Sequence, residues 1–583
     1  MNIIGISAFF HDAACCLLQD GQLKAAAEEE RFSRIKADPS LPVKAFRYCL
    51  QEGGLSVADV DCIAYYEDPQ KKLARQLWSG MLGNTPDLLK RLEPGMVGKR
   101  IREMLGYEGP IHYADHHQAH AASSYFFSGF KEAAILTVDG VGEWATTTYG
   151  IGKGTRLSIL EEVQFPDSIG LLYSTITSYL GFEVNEGEYK VMGLAPYGQP
   201  IYTDKIWQLI QSGENGQYSL NMAYFGFLQE NRMYTCELEA LMGKPARMRG
   251  DSVEQFHQDV ARSLQVVLEE LLLAKVNYLH QQTGSENLCM SGGVALNCVA
   301  NGKIRAKGPF KDLFVQPAAN DAGGAIGAAA LAHFSLRADS PPMSPLQHVY
   351  LGPSFSGNEV ARLLDSTSLQ YQDFRGNREG LLAATAEKIS EGKVIGWFQG
   401  RMEFGPRSLG ARSIIADPRN EQMRDRINQM VKKREGFRPF APAVLDKKMK
   451  EHFNIDHYSP FMLETCQVKS ALPLPAITHV DGSARLQTVH RERNERFYQL
   501  LEAFDRLTGC PILLNTSFNV KGEPIVCSPE DAIKCFILTD IDTLVIEDFI
   551  VDRASNDLET LRFFFSYEAS RSAGISQEVY TFI

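Results

Sequence analysis

The feature that most constrains the fold is a unit of three short strands that occurs twice. Residues 2–30 read as strands Ile3 to Ser7, Ala13 to Gln19 and Leu23 to Glu28, with a tight turn at Asp20-Gly21. Residues 133–163 repeat the pattern as Ala133 to Asp139, Thr146 to Ile151 and Leu157 to Val163, with a turn at Gly152 to Gly154. In each copy the first turn carries polar groups, His11-Asp12 in one and Asp139-Gly140 in the other. Duplication of such a unit predicts two related lobes that face a shared cleft.

Two further glycine-rich elements fit that arrangement. Glu286 to Asn301 reads as a strand, a turn at Gly292-Gly293 and a helix start, where bare glycine backbone can approach a ligand closely. Asn320 to Gly324 opens an alanine-rich helix running to about His333, whose free N–H groups and dipole favour an anion. Either cluster alone is also what a plain turn looks like. In this order they match the α/β ATPase fold of actin, hexokinase and the heat-shock chaperones, whose hairpin turns hold nucleotide phosphates.

Between the two copies, His116 and His120 sit four apart in a segment that reads as a helix, with Asp115 as N-cap and Gly129 as stop. That spacing places both imidazoles on one helical face, close enough to share a metal ion. The following strand delivers Asp139 at its C-terminal end, where open α/β sheets bind ligands. Two imidazoles and one carboxylate leave coordination positions open, and Asp321 can add a fourth ligand. Taken alone, the histidine pair also fits capping or surface roles. Lys190, bracketed by glycines and aromatics in GEYKVMGLAPYG, suits either a fixed loop carrying one charge or a surface turn.

A chain of 583 residues exceeds the usual single-domain size, so two to four compact units are expected. The polar, proline-bearing stretch 333–380 contains the boundary, placed at 345/346 to give units 1–345 and 346–583. The formal net charge of −12 argues against a nucleic-acid partner held by a general basic field. Eleven scattered cysteines form no CxxC pair and read as reduced core residues of a cytoplasmic protein. MNIIGISAFFHD reads as a first strand rather than a signal peptide, and no apolar run is long enough for a membrane span.

The second unit begins with a strand from Lys393 to Phe398, followed by arginines in glycine-rich loops: Arg401, Arg407 and Arg412. Arg438 follows in FRPFAPAVL, Arg485 in ARLQTV, and Asn515, Ser517 and Asn519 in ILLNTSFNVKGEPIV. Guanidinium forks beside hydroxyl and amide groups suit bidentate recognition of a phosphate or carboxylate. The tail from about Arg553 carries no readable motif.

The motifs HDAACCLLQDG, EEERFSR, DHHQAHAASSYFFSGF, TVDGVGEW, GEYKVMGLAPYG, SGGVALN, GPRSLGARSI, RPFAPAVL and LNTSFNVKGEPI together resemble the NodU/CmcH family of O-carbamoyltransferases, which includes the tobramycin carbamoyltransferase. The resemblance spans about residues 2 to 550. It implies an N-terminal domain of the threonylcarbamoyl-transfer ATPase type and a C-terminal YrdC-like α/β domain. By the same resemblance, His116, His120, Asp139 and Asp321 match the ligands of an iron ion (Fe2+) that also meets nucleotide phosphates, and His11 matches a general base. Lys36, Asp139, Gly140, Gly142, Gly292, Gly293 and Asn297 match nucleotide contacts, although Ala37 stands where many relatives carry histidine. Arg407, Arg438 and Arg485, with Asn515 and Ser517, match the carbamoyl phosphate and ATP site.

The implied reaction has two steps. Carbamoyl phosphate and ATP (with Mg2+) form carbamoyladenylate and pyrophosphate in the C-terminal domain. A hydroxyl of a small-molecule acceptor, a natural product such as an antibiotic precursor, then takes the carbamoyl group in the metal domain. Partners are therefore that acceptor, with no nucleic acid and no membrane, and a homodimer is left open. The rivals are threonylcarbamoyl-type transfer to tRNA, a sugar-kinase-like phosphotransferase, and a nucleotide-regulated binding protein without catalysis. Alternation along the first strand further selects Phe9, rather than Phe10, to share the acceptor face with His11 and to present an apolar wall there.

Overall fold

The computed structural model describes residues 1–79, 93–228, 232–432, 435–559 and 561–562; most of the tail called from Arg553 lies outside them. The described residues form two compact units, one within residues 1–29 and 37–346, the other within residues 30–36 and 347–562. The short segment 30–36 thus belongs with the second unit, although sequence order places it in the first.

The first unit holds the duplicated element as two five-stranded sheets. In one, β1 (Asn2–Ser7), β2 (Ala14–Gln19) and β3 (Gln22–Glu28) are antiparallel, and β4 (Cys62–Tyr65) and β5 (Ile111–Tyr113) add in parallel beyond β1. In the other, β6 (Glu132–Val138), β7 (Ala145–Lys153) and β8 (Arg156–Gln164) are antiparallel. There β11 (Asn287–Ser291) and β12 (Asp312–Val315) add in parallel beyond β6. A small pair, β9 (Ile210–Ser212) and β10 (Tyr218–Leu220), lies apart. The orders β3-β2-β1-β4-β5 and β8-β7-β6-β11-β12 are the same topology twice, the actin/hexokinase-like plan.

Local sequence explains these elements. Asp20 and Gly21 both take positive φ (49° and 79°), the mirror-image turn whose twist suits a two-residue hairpin. The second hairpin turns at Gly154-Thr155, at the far end of the expected Gly152 to Gly154, because β7 stays paired through Lys153. The 321–336 helix is rich in alanine and glycine because it is squeezed between other elements. A Cβ on Gly5 of β1 would lie 1.9 Å from the Ala325 carbonyl oxygen, and one on Gly327 would lie 1.7 Å from that of Ala119. Small residues at these crossings let the helix press on β1 and on the 116–125 helix, and so fix where Asp321 emerges.

Two further sequence expectations change here. β1 ends at Ser7, and Phe9 adopts φ 69°, so the alternation that selected Phe9 does not extend that far. Phe10 is the ring against His11, with centroids 4.3 Å apart. Lys190 lies within a helix, Glu188–Leu194, with its ammonium 6.0 Å from the Phe182 and Tyr189 ring centroids, not in a loop.

The second unit is built on an eight-stranded mixed sheet. Its order is β13-β22-β21-β14-β15-β20-β16-β19, from β13 (Gln372–Asp373), β14 (Ile395–Phe398), β15 (Arg412–Ala416), β16 (Ala441–Leu445), β19 (Gln487–Val489), β20 (Ile512–Ser517), β21 (Thr543–Ile546) and β22 (Phe549–Asp552). Strands β17 (Thr465–Gln467) and β18 (Ser483–Arg485) pair separately. Helices Arg378–Ser390, Glu495–Thr508 and Pro529–Leu538 cover a core that includes Trp397, Phe398, Leu514 and Phe536. Nine of the eleven cysteines are buried, and all are free thiols. Among the described residues, no helix is long and apolar enough to cross a membrane.

Candidate metal centre and anion site

His116, His120, Asp139 and Asp321 converge in the first unit, all buried, each offering a ligand atom within 4.8 Å of the others. The histidines stand on the 116–125 helix, Asp139 just beyond β6, and Asp321 at the first turn of the 321–336 helix. The two imidazole Nε2 atoms are 3.1 Å apart. Asp139 Oδ2 lies 3.2 Å from His116 Nε2 and 3.8 Å from His120 Nε2, and Asp321 Oδ1 lies 3.6 and 3.4 Å from the same atoms. Bonds of about 2.1 Å to one ion predict ligand separations of roughly 3.0–3.4 Å. The four atoms therefore surround a point a divalent cation can occupy.

Each carboxylate is aimed by its other oxygen. Asp139 Oδ1 accepts the Gly293 N–H at 2.8 Å, and Asp321 Oδ2 accepts from the Tyr66 hydroxyl at 3.5 Å. Gly292 makes the first possible, since at φ 87° a Cβ there would lie 2.3 Å from the Val138 carbonyl oxygen. Electrostatics agree with a cation site. Burial would lower the His116 pKa, yet Asp321 and Asp139 raise it to about 9. Burial opposes the charge of Asp139, but its hydrogen bond with His116 and the charges of His120 and His116 hold its carboxyl well below the usual range. Two buried carboxylates facing two imidazoles thus demand positive charge, which protons or a metal can supply. The neighbouring His117 is no ligand: burial and the charge of His116 keep it neutral, and its Nδ1 meets Thr148 Oγ1 at 3.3 Å.

His11 stands at the edge of the tetrad, its Nδ1 3.9 Å from Asp321 Oδ2 and 2.9 Å from Asp12 Oδ2. Burial would lower its pKa, but Asp321, Asp12 and Asp139 lift it to about 9. Asp12, at φ 52°, was legible only as a polar turn residue; it orients the ring.

The expected nucleotide contacts divide. Gly140, Gly142, Gly292 and Gly293 lie around Asp139: the Gly140 carbonyl accepts from Ser168 at 2.6 Å, and Gly142 backs onto the His116 and His117 rings. Gly293 spends its N–H on Asp139, and the Asn297 side chain is engaged with Gln265 and the Ala300 N–H. Lys36 clusters with the second unit, not with these glycines.

In the second unit, strand register brings the C-terminal candidates to one end of the sheet. β15, β16 and β19 run the same way and β20 runs against them, with Ser413 opposite Ser517 and both Ile415 and Ala441 opposite Asn515. The starts of β15, β16 and β19, near Arg407, Arg438 and Arg485, therefore share an edge with the end of β20, where Asn515 and Ser517 stand. Asn515 Nδ2 donates to Gln487 Oε1 at 2.7 Å, and Ser517 Oγ donates to Asn519 Oδ1 at 2.7 Å. Arg438 is 3.9 Å from Glu435. Arg412 and Arg401 differ from expectation. The buried Arg412 donates to the carbonyls of Gln399, Ala411 and Pro353 and lies 3.6 Å over the Phe398 ring. Arg401 donates to the Gly352 and Leu351 carbonyls.

Sequence reasoning missed Glu143. Its Oε1 accepts the N–H of His116 at 3.0 Å and of Asp68 at 2.6 Å, and Oε2 also accepts the His116 N–H, at 3.1 Å. Burial pushes its carboxyl up to about 7. The expected cap, Asp115, makes no cap bond; its carboxylate takes the Lys71 ammonium at 2.5 Å.

Residues 2–330 match the family described as Carbamoyltransferase N-terminus, and residues 386–553 match Carbamoyltransferase C-terminus. The chain is 45% identical to an uncharacterized protein of Synechocystis sp., covering 95% of this chain and 97% of that one. It is 41% identical to nodulation protein NolNO of Sinorhizobium fredii, covering 94% and 80% respectively. The ROK hexokinase of Thermus thermophilus aligns over 58% of this chain and all of its own, but at 14% identity and a TM-score of 0.30 it carries no argument.

Proposed function

The chain belongs to the carbamoyltransferase family and is an enzyme that transfers carbamoyl groups; we propose that it does so in two ATP-dependent steps, one in each unit. In the second unit, water hydrolyses carbamoyl phosphate to carbamate and phosphate, and a carbamate oxygen then attacks the α-phosphorus of ATP, forming carbamoyladenylate as the bond to the departing pyrophosphate breaks. Arg407, Arg438 and Arg485 gather the phosphoryl oxygens there, because planar guanidinium forks neutralise and orient them together. Asn515 and Ser517, at the same sheet end, supply neutral polar contacts.

In the first unit, a small-molecule hydroxyl attacks the carbonyl carbon of carbamoyladenylate. The new C–O bond forms, the bond to the phosphate oxygen breaks, and AMP leaves. His11 in its neutral form takes the hydroxyl proton, a form that a cation bound between Asp139 and Asp321 would favour by offsetting the carboxylate charge that raises its pKa. Asp12 engages Nδ1, which leaves Nε2 as the accepting atom. His116, His120, Asp139 and Asp321 would hold a metal ion, for which we propose iron. Imidazole and carboxylate donors suit a first-row divalent ion, which when bound supplies Lewis-acid stabilisation of the charge on the departing phosphate. The observation that carries this reading is the buried tetrad with His11 3.9 Å from Asp321.

The test is incubation with ATP, carbamoyl phosphate and a mixture of hydroxyl-bearing metabolites, followed by mass spectrometry. Products that gain one carbamoyl group, absent from a His11→Ala control, support the reading. Products that gain a phosphoryl group instead overturn it.

A further inference from the structure

The carboxylate of Glu143 does work that neither helix it touches can do for itself. The 116–125 helix, which carries both metal histidines, has no side-chain cap of its own. The helix Pro69–Trp78 begins one residue after Asp68, which caps it through the Gln70 and Lys71 N–H groups. Glu143 Oε1 reaches both starts, taking the His116 N–H at 3.0 Å and the Asp68 N–H at 2.6 Å. An acceptor oxygen at two helix starts answers backbone N–H groups that have no partner within their helices. Glu143 is 5% exposed, so little water competes for those donors.

The second helix leads to the base. Lys72, on its first turn, pairs with Glu67 at 2.8 Å and lies 5.6 Å over the Phe10 ring. Phe10 in turn lies 4.3 Å from the His11 ring. One carboxylate thus connects the backbone of a metal ligand with the element that backs His11.

We propose that Glu143 is a positioning residue that sets the metal ligands and His11 in register by capping both helices from outside. This rests on the two-step reading above, and requires only that the tetrad binds a divalent ion. Oε1 reaches both donors and Oε2 shares only the His116 N–H at 3.1 Å, so Glu143→Gln can keep one bond to each donor through its amide oxygen, whereas Glu143→Ala loses all of them.

The experiment measures affinity for Fe2+ or Co2+ by competition with a chelator, alongside steady-state kinetics of carbamoyl transfer. Support for an orienting ligand partner is commonly worth about 10–100-fold in metal affinity. Glu143→Ala should therefore lose about that much affinity and lower kcat with KM for ATP unchanged, and Glu143→Gln should restore both to within about threefold. Wild-type affinity in Glu143→Ala overturns the proposal. So does an equal loss in Glu143→Gln, which would assign the effect to charge. If Glu143→Ala fails to fold, Glu143→Asp decides: one methylene shorter, it cannot span both donors, and wild-type affinity there overturns the proposal. Should the wild-type protein bind the ion but transfer no carbamoyl group, the functional reading fails while the affinity series still judges Glu143.

Discussion

Replacing His120 by alanine removes one of four converging ligand atoms from a site with no exposure to spare, since His120 is fully buried. Its Nε2 stands 3.1 Å from His116 Nε2 and 3.4 Å from Asp321 Oδ1, so no neighbouring side chain can take its place without moving. An ion present at a hundred times its dissociation constant stabilises the native state by about 2.7 kcal/mol. In a unit of this size that corresponds to a melting shift on the order of 5 °C. Chelation should lower the Tm of wild-type protein by about that amount. In His120→Ala the chelator shift should vanish, and elemental analysis should find the metal gone, with carbamoyl transfer lost in parallel. A variant that keeps stoichiometric metal and the full chelator response would refute the assignment of the tetrad.

Arg438→Ala should abolish pyrophosphate release from ATP and carbamoyl phosphate while leaving metal content unchanged, each lost charge-assisted hydrogen bond costing about 1.5–3 kcal/mol; added carbamoyladenylate should restore product, and failure to do so while wild type uses it would break the division of labour. Gly292→Ala forces a Cβ to 2.3 Å from the Val138 carbonyl oxygen at φ 87° and should cost about 1–3 kcal/mol in backbone strain alone, with weakened metal binding; an unchanged Tm would contradict this. Burial lowers the Lys275 pKa from 10.5 to about 7, although its ammonium donates to the Gly216 carbonyl and lies 4.1 Å over the Tyr218 ring. A folded value below the unfolded one means the penalty is full below pH 7 and is relieved between about 7 and 10.5. Lys275→Met should therefore raise Tm at pH 6 by more than at pH 10, and equal shifts at both would contradict it.

What the sequence made legible were features set by local chemistry. Asp20-Gly21 and the alternating strands on either side specify a hairpin by themselves, and the 3.6-residue turn places His116 and His120 on one face. Asp139 and Asp321 could be named because each follows or opens a strongly patterned element. What escaped depended on distant partners. The segment 30–36 joins the second unit through Arg31 to the Gly405 carbonyl and Arg34 to the Ile525 and Pro524 carbonyls, hundreds of residues away. Arg412 had the local setting of an anion-binding arginine, and only the folded sheet shows three carbonyls and a ring around it. Glu143 gave no signal because its two donors, Asp68 and His116, lie 75 and 27 residues before it. The Phe9 expectation failed for a local reason: alternation holds only while the strand does, and β1 stops at Ser7.

The most direct test of the two-step account follows label from carbamoyl phosphate while pyrophosphate is counted. Carbamoyl phosphate labelled in its carbonyl carbon is supplied with and without ATP, and with a hydroxyl-bearing acceptor that the enzyme carbamoylates. The account predicts one pyrophosphate released per labelled carbamoyl group transferred, neither occurring without ATP, and loss of transfer but not of pyrophosphate release in His11→Ala. Transfer of label in the absence of ATP, with no pyrophosphate formed, would contradict it.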